Sequence, residues 1–98
     1  FNIYPSDLEH VLLQHPGVAD AAVVGVASDR WGETPVAFVV AREDGPVSAE
    51  AVKAWANARL GKTQRLADVV LVDALPRSHI GKVLKRELRD GYTAPAGL

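Results

Sequence analysis

Residues 18–26 of this chain read VADAAVVGV, and residues 36–40 read VAFVV. Both stretches are short, apolar and rich in valine, a β-branched residue that favours strands. The first carries apolar side chains at successive positions, which predicts a strand that is buried on both faces. A polar loop at residues 27–33 separates the two stretches. Together they predict the first two strands of a small sheet.

Helices are predicted on either side of this strand pair. Ser6 and Glu9 have the spacing of a capping box, which marks the start of a helix, and the sequence His15-Pro16-Gly17 ends that helix. Ser48 predicts the N-cap of a second helix, and Gly61 suits its C-terminal cap. The expected apolar faces are Leu8, Val11 and Leu12 in the first helix, and Val52, Trp55, Ala56 and Leu60 in the second.

The last third of the chain predicts one more strand and one more helix. Residues 69–72 (VVLV) form the strand, residues 73–82 a loop, and a short helix begins at Val83; residues 91–98 read as a loose tail. The order α-β-β-α-β-α predicts an α+β fold. We expect a small, three-stranded, mainly antiparallel sheet that is covered by about three helices.

Composition limits the class of protein. A chain of 98 residues with 48% apolar residues fits one folded domain. It contains no cysteine, which excludes disulfides and thiolate metal sites, and we expect a cytoplasmic location. No run approaches the roughly 20 apolar residues of a membrane helix. Because the chain begins with Phe1 and has no methionine, we expect a piece of a longer protein.

Positive charge is concentrated near the end of the chain. Residues 77–89 contain five of the 11 basic residues and one acidic residue, Glu87. Within this segment Gly81-Lys82 is expected at the N-terminus of the last helix, where unpaired N–H groups attract anions. Gly81 would permit a positive φ, and Lys82 would add a mobile charge. The residues alone leave two interpretations open, an anion-binding lysine and a solvated surface lysine.

Two aromatic segments are further candidates. Trp31, in a polar loop between Arg30 and Gly32, either folds back on the core or offers a flat surface to a ligand. Phe1 and Asn2 open an extended segment that ordinarily packs ahead of a helix. The three histidines show no metal-ligand spacing, so no metal site is predicted in the chain.

Several segments, in order, resemble the C-terminal domain of the adenylate-forming (AMP-binding) superfamily, most closely an acyl-CoA synthetase that acts on fatty acids. The segments are Asn2-Ile3-Tyr4-Pro5, His15-Pro16-Gly17-Val18, Trp31-Gly32-Glu33, Leu75-Pro76-Arg77, and Gly81-Lys82 with Leu84-Lys85-Arg86-Glu87-Leu88-Arg89. The resemblance covers nearly the whole chain. In one place the chain departs from the family pattern: residues 61–66 (GKTQRL) replace a segment that carries an aromatic residue and a proline.

The resemblance implies a two-step ligase reaction with a larger N-terminal adenylation domain. A carboxylate and ATP give an acyl-adenylate; the small domain then rotates, and CoA displaces AMP. Lys82 occupies the position of the family's catalytic lysine for the first step, and Gly81 supports it. CoA contacts are implied for Phe1, Asn2, Arg30, Trp31 and Gly32. Magnesium would accompany ATP in the larger domain. The resemblance also implies that Lys82 is a target for an acetyltransferase, since acetylation removes its charge.

Two other functions remain open from the sequence. One is an adenylation-domain fragment that acts with a carrier protein in place of CoA. The other is a non-catalytic regulatory or binding module, because a fold does not fix a function. As one domain of a larger synthetase, the isolated 98-residue chain is expected to be inactive, since it would carry only part of an active site.

Overall fold

The computed structural model describes residues 4–28, 32–45, 47–61 and 64–93. The elements follow the predicted order: α1 (Pro5–Leu13), β1 (Val18–Ser28), β2 (Gly32–Ala41), α2 (Ala49–Arg59), β3 (Asp68–Leu71) and α3 (Lys85–Asp90). The predicted α+β class, with three strands and three helices, is confirmed.

The three strands form one mixed sheet in the order β1-β2-β3. β1 and β2 pair antiparallel from Val18–Ala41 to Ser28–Gly32, with an irregularity near Asp20. The shorter β3 pairs parallel to the middle of β2. Because α2 connects β2 to β3, the chain can cross over and return in the same direction. Most of the pairing is antiparallel, as predicted.

Four successive residues of β1, 21–24, are buried. Because successive side chains of a strand point to opposite faces, both faces of the sheet are covered. One face packs against α1 and α2; its buried residues include Leu8, Leu12, Val23, Val39, Val52 and Ala56. The other face packs against α3 and the segment that precedes it; its residues include Ala22, Val24, Val36, Phe38, Leu75 and Leu88. The prediction of a strand buried on both faces is confirmed.

The start of α1 differs from the prediction. Tyr4 is the N-cap and makes no side-chain cap hydrogen bond, while Pro5 occupies the first turn. The capping box is therefore wrong: Ser6 lies inside the helix, and the Glu9 carboxylate accepts a hydrogen bond from the N–H of Val23 in β1 at 2.8 Å. Proline at the first helical position has no N–H to satisfy, which reduces the need for a cap.

The ends of α2 confirm one prediction and contradict another. The Ser48 hydroxyl accepts a hydrogen bond from the N–H of Ala51 at 3.1 Å, as expected of an N-cap. At the other end Leu60 is extended, and Gly61 has no positive φ, so no glycine cap forms. Trp55 is only partly buried at the edge of the core, where the guanidinium of Arg59 lies 3.8 Å from the centre of its ring.

The segment after α3 is anchored. The Tyr92 hydroxyl donates to the Asp68 carboxylate at 2.8 Å, and the Tyr92 ring meets Phe38 edge to face. Burial of the phenol, and secondarily the hydrogen bond and charge of Asp68, raises the pKa of Tyr92 above its usual value. The expectation of a loose tail from Gly91 is therefore wrong as far as Tyr92, and residues 94–98 lie outside the described part.

Among the described residues, no helix is long and apolar enough to cross a membrane.

Candidate functional site

The predicted functional lysine, Lys82, lies in a closed hairpin that we call the lysine loop (residues 76–84). At the base of this loop the N–H of Leu84 donates to the C=O of Pro76 at 2.8 Å. Nearer the tip, the N–H of Ser78 donates to the C=O of Lys82, also at 2.8 Å. The backbone on both sides of the tip is thus held by hydrogen bonds.

Gly81 completes the turn at the tip. Its N–H donates to the C=O of Ser78 at 2.9 Å, and its φ is +87°. A turn followed by one residue in the left-handed region is the usual form of a three-residue hairpin loop, and glycine adopts that region without steric cost. The predicted positive φ at Gly81 is confirmed.

The position of Lys82 relative to the last helix differs from the prediction. α3 begins at Lys85, not at Val83, because Val83 pairs with Arg77 in an antiparallel bridge. The N–H of Lys82 donates to the Ser78 hydroxyl at 3.3 Å. Lys82 therefore lies in a hairpin and not at a helix N-terminus, and its own N–H is engaged within the loop.

The Lys82 side chain is exposed, as are its neighbours His79, Ile80 and Gly81. Ile80 is 77% exposed, which is unusual for a large apolar residue. In the described part of the chain, no carboxylate lies within ion-pair distance of the Lys82 ammonium. The loop thus presents an uncompensated positive charge beside an apolar side chain.

Arg77 connects the lysine loop to β1. Its Nη1 donates to the C=O of Gly81 at 2.7 Å, and its Nη2 donates to the Asp20 carboxylate at 2.6 Å. The other Asp20 oxygen accepts a hydrogen bond from the N–H of Ala21 at 2.9 Å. A single guanidinium therefore spans from the tip of the loop to a carboxylate that is itself fixed on the strand.

A second ion pair holds the segment after the loop. The Lys85 ammonium lies 2.9 Å from the Glu9 carboxylate, whose same oxygen accepts the N–H of Val23. Glu9 thus joins α1, β1 and α3 around the free edge of β1. Sequence reasoning assigned Glu9 to a helix cap because the capping-box spacing is local, whereas its real partners lie 14 and 76 residues away in the sequence.

The residues for which CoA contacts were predicted lie mostly outside the described part; these are Phe1, Asn2, Arg30 and Trp31. Gly32 is described: it is exposed, has a φ of +78°, and a Cβ at this position would meet no atom within 4 Å. Its open surroundings leave space for a ligand or partner to approach the backbone.

Gly32 and the lysine loop lie at opposite ends of the β1–β2 hairpin. Gly32 pairs with Ser28, whereas the loop contacts Asp20, eight residues earlier in β1. At about 3.3 Å per residue, Asp20 and Ser28 are about 26 Å apart along β1. The structure does not bring the predicted CoA residue and the predicted catalytic lysine together.

Sequence reasoning missed Arg77 and Asp20 as members of the site. They are 57 residues apart in the chain, and only the fold makes them neighbours. Arg77 belongs to the basic segment and to the Leu75-Pro76-Arg77 motif, but neither pattern assigned it a role.

The described residues do not fit a resident metal ion, because no group of three or more His, Asp or Glu side chains is placed to share one. The site offers a positive charge, backbone groups and one exposed apolar side chain. It is suited to bringing a cation to an anionic substrate that another surface binds.

Comparison with known proteins shows the family of the chain. Residues 7–82 match the family described as the AMP-binding enzyme C-terminal domain, and the match ends at the lysine. A 2-succinylbenzoate–CoA ligase of Bacillus cereus is 46% identical over 88 residues, which are 90% of this chain and 18% of the ligase. The 4-coumarate–CoA ligase-like protein 9 of Oryza sativa is 44% identical over 92 residues, 94% of this chain and 17% of that protein.

A solved structure has the same fold as this chain. The Mycobacterium tuberculosis fatty acyl CoA synthetase superposes with a TM-score of 0.84 at 36% sequence identity, over 94% of this chain and 18% of the synthetase. The fold and the loop thus define a small α+β domain that presents a lysine to solvent. The chain belongs to the family of AMP-binding enzyme C-terminal domains. It spans less than a fifth of the length of the relatives that it matches.

Proposed function

We propose that the chain is the mobile C-terminal domain of an ATP-dependent acyl-CoA synthetase, in which Lys82 is the catalytic lysine of acyl-adenylate formation. The observation that carries this proposal is the exposed Lys82 ammonium, which has no ion-pair partner among the described residues and lies in a closed loop at the end of the region that matches the family. An N-terminal adenylation domain would bind ATP and the carboxylic acid.

Charge explains why the first step needs such a lysine. The carboxylate oxygen attacks the α-phosphorus of ATP, a P–O bond forms, and the bond to pyrophosphate breaks. Two anions approach each other and negative charge develops on the phosphoryl oxygens. An ammonium that is held beside those oxygens in a site with little water stabilises the transition state, by about 3 kcal/mol if it resembles an oxyanion donor. Magnesium, if required, would be held with ATP by the larger domain.

The second step would use the other end of the β1–β2 hairpin. CoA sulfur attacks the acyl carbon of the adenylate and AMP leaves. About 26 Å of β1 separates Asp20, which the lysine loop contacts, from Ser28, which pairs with Gly32. One small active site would therefore not contact both ends of the hairpin at once. This separation supports a rotation of the domain between the two steps, with Phe1, Asn2, Arg30, Trp31 and Gly32 contributing the CoA surface.

The test is to measure the two half-reactions separately in the full-length enzyme. Lys82→Ala should lower carboxylate-dependent pyrophosphate exchange by about 10²–10³-fold. Thioester formation from a supplied acyl-adenylate should be retained. Lys53→Ala, on α2, removes the same charge and should change neither rate. If Lys82→Ala stays folded and adenylates at the rate of the unmodified enzyme, the assignment is wrong.

The acceptor and the acid are further parts of the proposal. We favour free CoA, because the named relatives are CoA ligases; offering CoA and a holo carrier protein to the acyl-adenylate form tests this. The acid is a carboxylic acid, and the predicted fatty acid stays a prediction, since relatives named for aromatic acids also match. A panel of fatty and aromatic acids in the exchange assay distinguishes them.

Regulation and location complete the proposal. The exposure of Lys82 supports acetylation of its ammonium, which would remove the charge that the first step requires. Mass spectrometry after incubation with acetyl-CoA and an acetyltransferase should then find the label on Lys82, and adenylation should fall in proportion to it. We place the enzyme in the cytoplasm, as the sequence predicted.

A further inference from the structure

The Arg77 guanidinium contacts both Asp20 in β1 and Gly81 at the tip of the lysine loop. The proposed function leaves Arg77 without a role. We propose that Arg77, held by Asp20, is a positioning residue that fixes the orientation of Lys82 for acyl-adenylate formation. This inference rests on the proposed function of Lys82.

The tip of the loop has little else to fix its direction. Residues 79–82 are all exposed, so no core packing holds them against the sheet. The backbone hydrogen bonds of the loop close the hairpin upon itself, but they do not tie its tip to another element. Within the described chain, the contact from Arg77 Nη1 to the C=O of Gly81 is the side-chain contact that reaches the residue directly before Lys82.

The anchor at the other end of the guanidinium is itself fixed. Asp20 lies in β1, and one of its oxygens accepts the N–H of Ala21 while the other binds Arg77. β1, like β2, has side chains in both cores. The line Ala21–Asp20–Arg77–Gly81 therefore transmits the rigidity of the sheet to the base of the catalytic side chain.

An arginine suits this role better than a lysine. The two acceptors, a carboxylate and a backbone carbonyl, are bound by two different nitrogens of one planar group. A lysine ammonium is a single point at the end of a flexible stem and lacks that fork. The second ion pair, Lys85–Glu9, holds α3 and not the tip, so it does not substitute for Arg77.

Exposure separates the expected effect on rate from that on stability. The Arg77 and Asp20 side chains are 43% and 36% exposed, and surface ion pairs contribute little to folding. Catalysis is more sensitive, because a displacement of about 1 Å in a reacting group can cost about 100-fold in rate. Loss of Arg77 should therefore slow one chemical step in a protein that remains folded.

The experiment compares Arg77→Ala, Arg77→Lys, Asp20→Asn and the control Arg89→Ala in the full-length enzyme. Arg89 is an exposed arginine of α3, and its removal changes the net charge equally. We expect Arg77→Ala to lower kcat for pyrophosphate exchange by about 10- to 100-fold. Thioester formation from supplied acyl-adenylate and the Tm of the enzyme should be unchanged. Arg77→Lys should restore only part of the rate, and Asp20→Asn should show a smaller loss in the same half-reaction.

A double variant distinguishes positioning from an independent charge effect. If Arg77 acts through Lys82, adding Arg77→Ala to Lys82→Ala should cause little further loss. The inference is overturned if Arg77→Ala leaves exchange unchanged, if both half-reactions fall together, if Arg89→Ala causes the same loss, or if the double variant shows the product of the two single effects. If Lys82→Ala alone leaves exchange intact, the proposed function fails instead, whatever Arg77 does.

Discussion

Asn57 is the one polar or charged residue in the described part of the chain that is buried, and its replacement should destabilise the domain strongly. Its side chain is 7% exposed. The Asn57 amide donates to the C=O of Leu66 at 3.1 Å and accepts from the N–H of Leu66 at 2.7 Å. Leu66 is 2% exposed and leads into β3. One side chain thus satisfies both backbone groups of a buried residue.

The cost of Asn57→Ala follows from the groups that it leaves unpaired. Each buried backbone group without a partner costs about 1–3 kcal/mol. Alanine offsets this loss by about 0.5 kcal/mol of unfolding free energy, because it favours a helix more than asparagine does. With both backbone groups of Leu66 unpaired, the expected net loss in the free energy of unfolding is therefore about 1.5–5.5 kcal/mol. In a domain of this size, each kcal/mol of this loss lowers Tm by about 4–8 °C.

Urea unfolding of the 98-residue chain, followed by far-UV circular dichroism, measures this loss. Glu50→Ala, on an exposed position of the same helix, is the control and should change the unfolding free energy by less than about 0.5 kcal/mol. A loss below about 1 kcal/mol for Asn57→Ala, at an unchanged m-value, would refute the reasoning, since Leu66 would then have found other partners. The result also bears on residues 61–66, where the chain departs from the family pattern, because Asn57 holds the end of that segment.

Two further predictions concern the loop tip and the C-terminal anchor. Gly81→Ala should destabilise the chain by about 1 kcal/mol in the same urea assay, because φ is +87° there and alanine disfavours the left-handed region. For Tyr92, whose pKa is raised in the folded state, the proton is held more tightly than in the unfolded chain. The stability due to Tyr92 should therefore be fully present below about pH 10 and decline as pH rises further, which urea unfolding of the chain and of Tyr92→Phe at several pH values measures.

Each of these predictions has a matched comparison. Gly61→Ala is the control for Gly81→Ala, since Gly61 has no positive φ and a Cβ there meets no atom within 4 Å; equal losses in the two variants would contradict the argument from φ. For Tyr92, the difference in unfolding free energy between the chain and Tyr92→Phe should shrink only above about pH 10. A difference that stays constant across that range would contradict the raised pKa. Asp68→Asn should reduce the decline, because it removes the negative charge beside the phenol.

The fold was predictable because its signals are local. Apolar runs at residues 18–26 and 36–40 indicated strands, and the serine at position 48 marked a helix start that the structure confirms. Predictions failed where a sequence pattern competed with a partner outside that pattern. Glu9 has capping-box spacing, yet its carboxylate binds Val23 and Lys85. Val83 continues a helical pattern, yet it pairs with Arg77.

The sequence by itself determined the element order, the sheet that is buried on both faces, and Lys82 as the residue to test, through short-range periodicity and the ordered family motifs. The tertiary structure alone decided where Lys82 lies. It placed the lysine in a hairpin ahead of α3, brought Arg77 to Asp20 across 57 residues, and separated the lysine loop from Gly32 by the length of a strand. The hairpin is closed by hydrogen bonds within residues 76–84. The other two relations depend on how the elements pack, and contacts between residues distant in sequence leave no spacing from which they could be predicted.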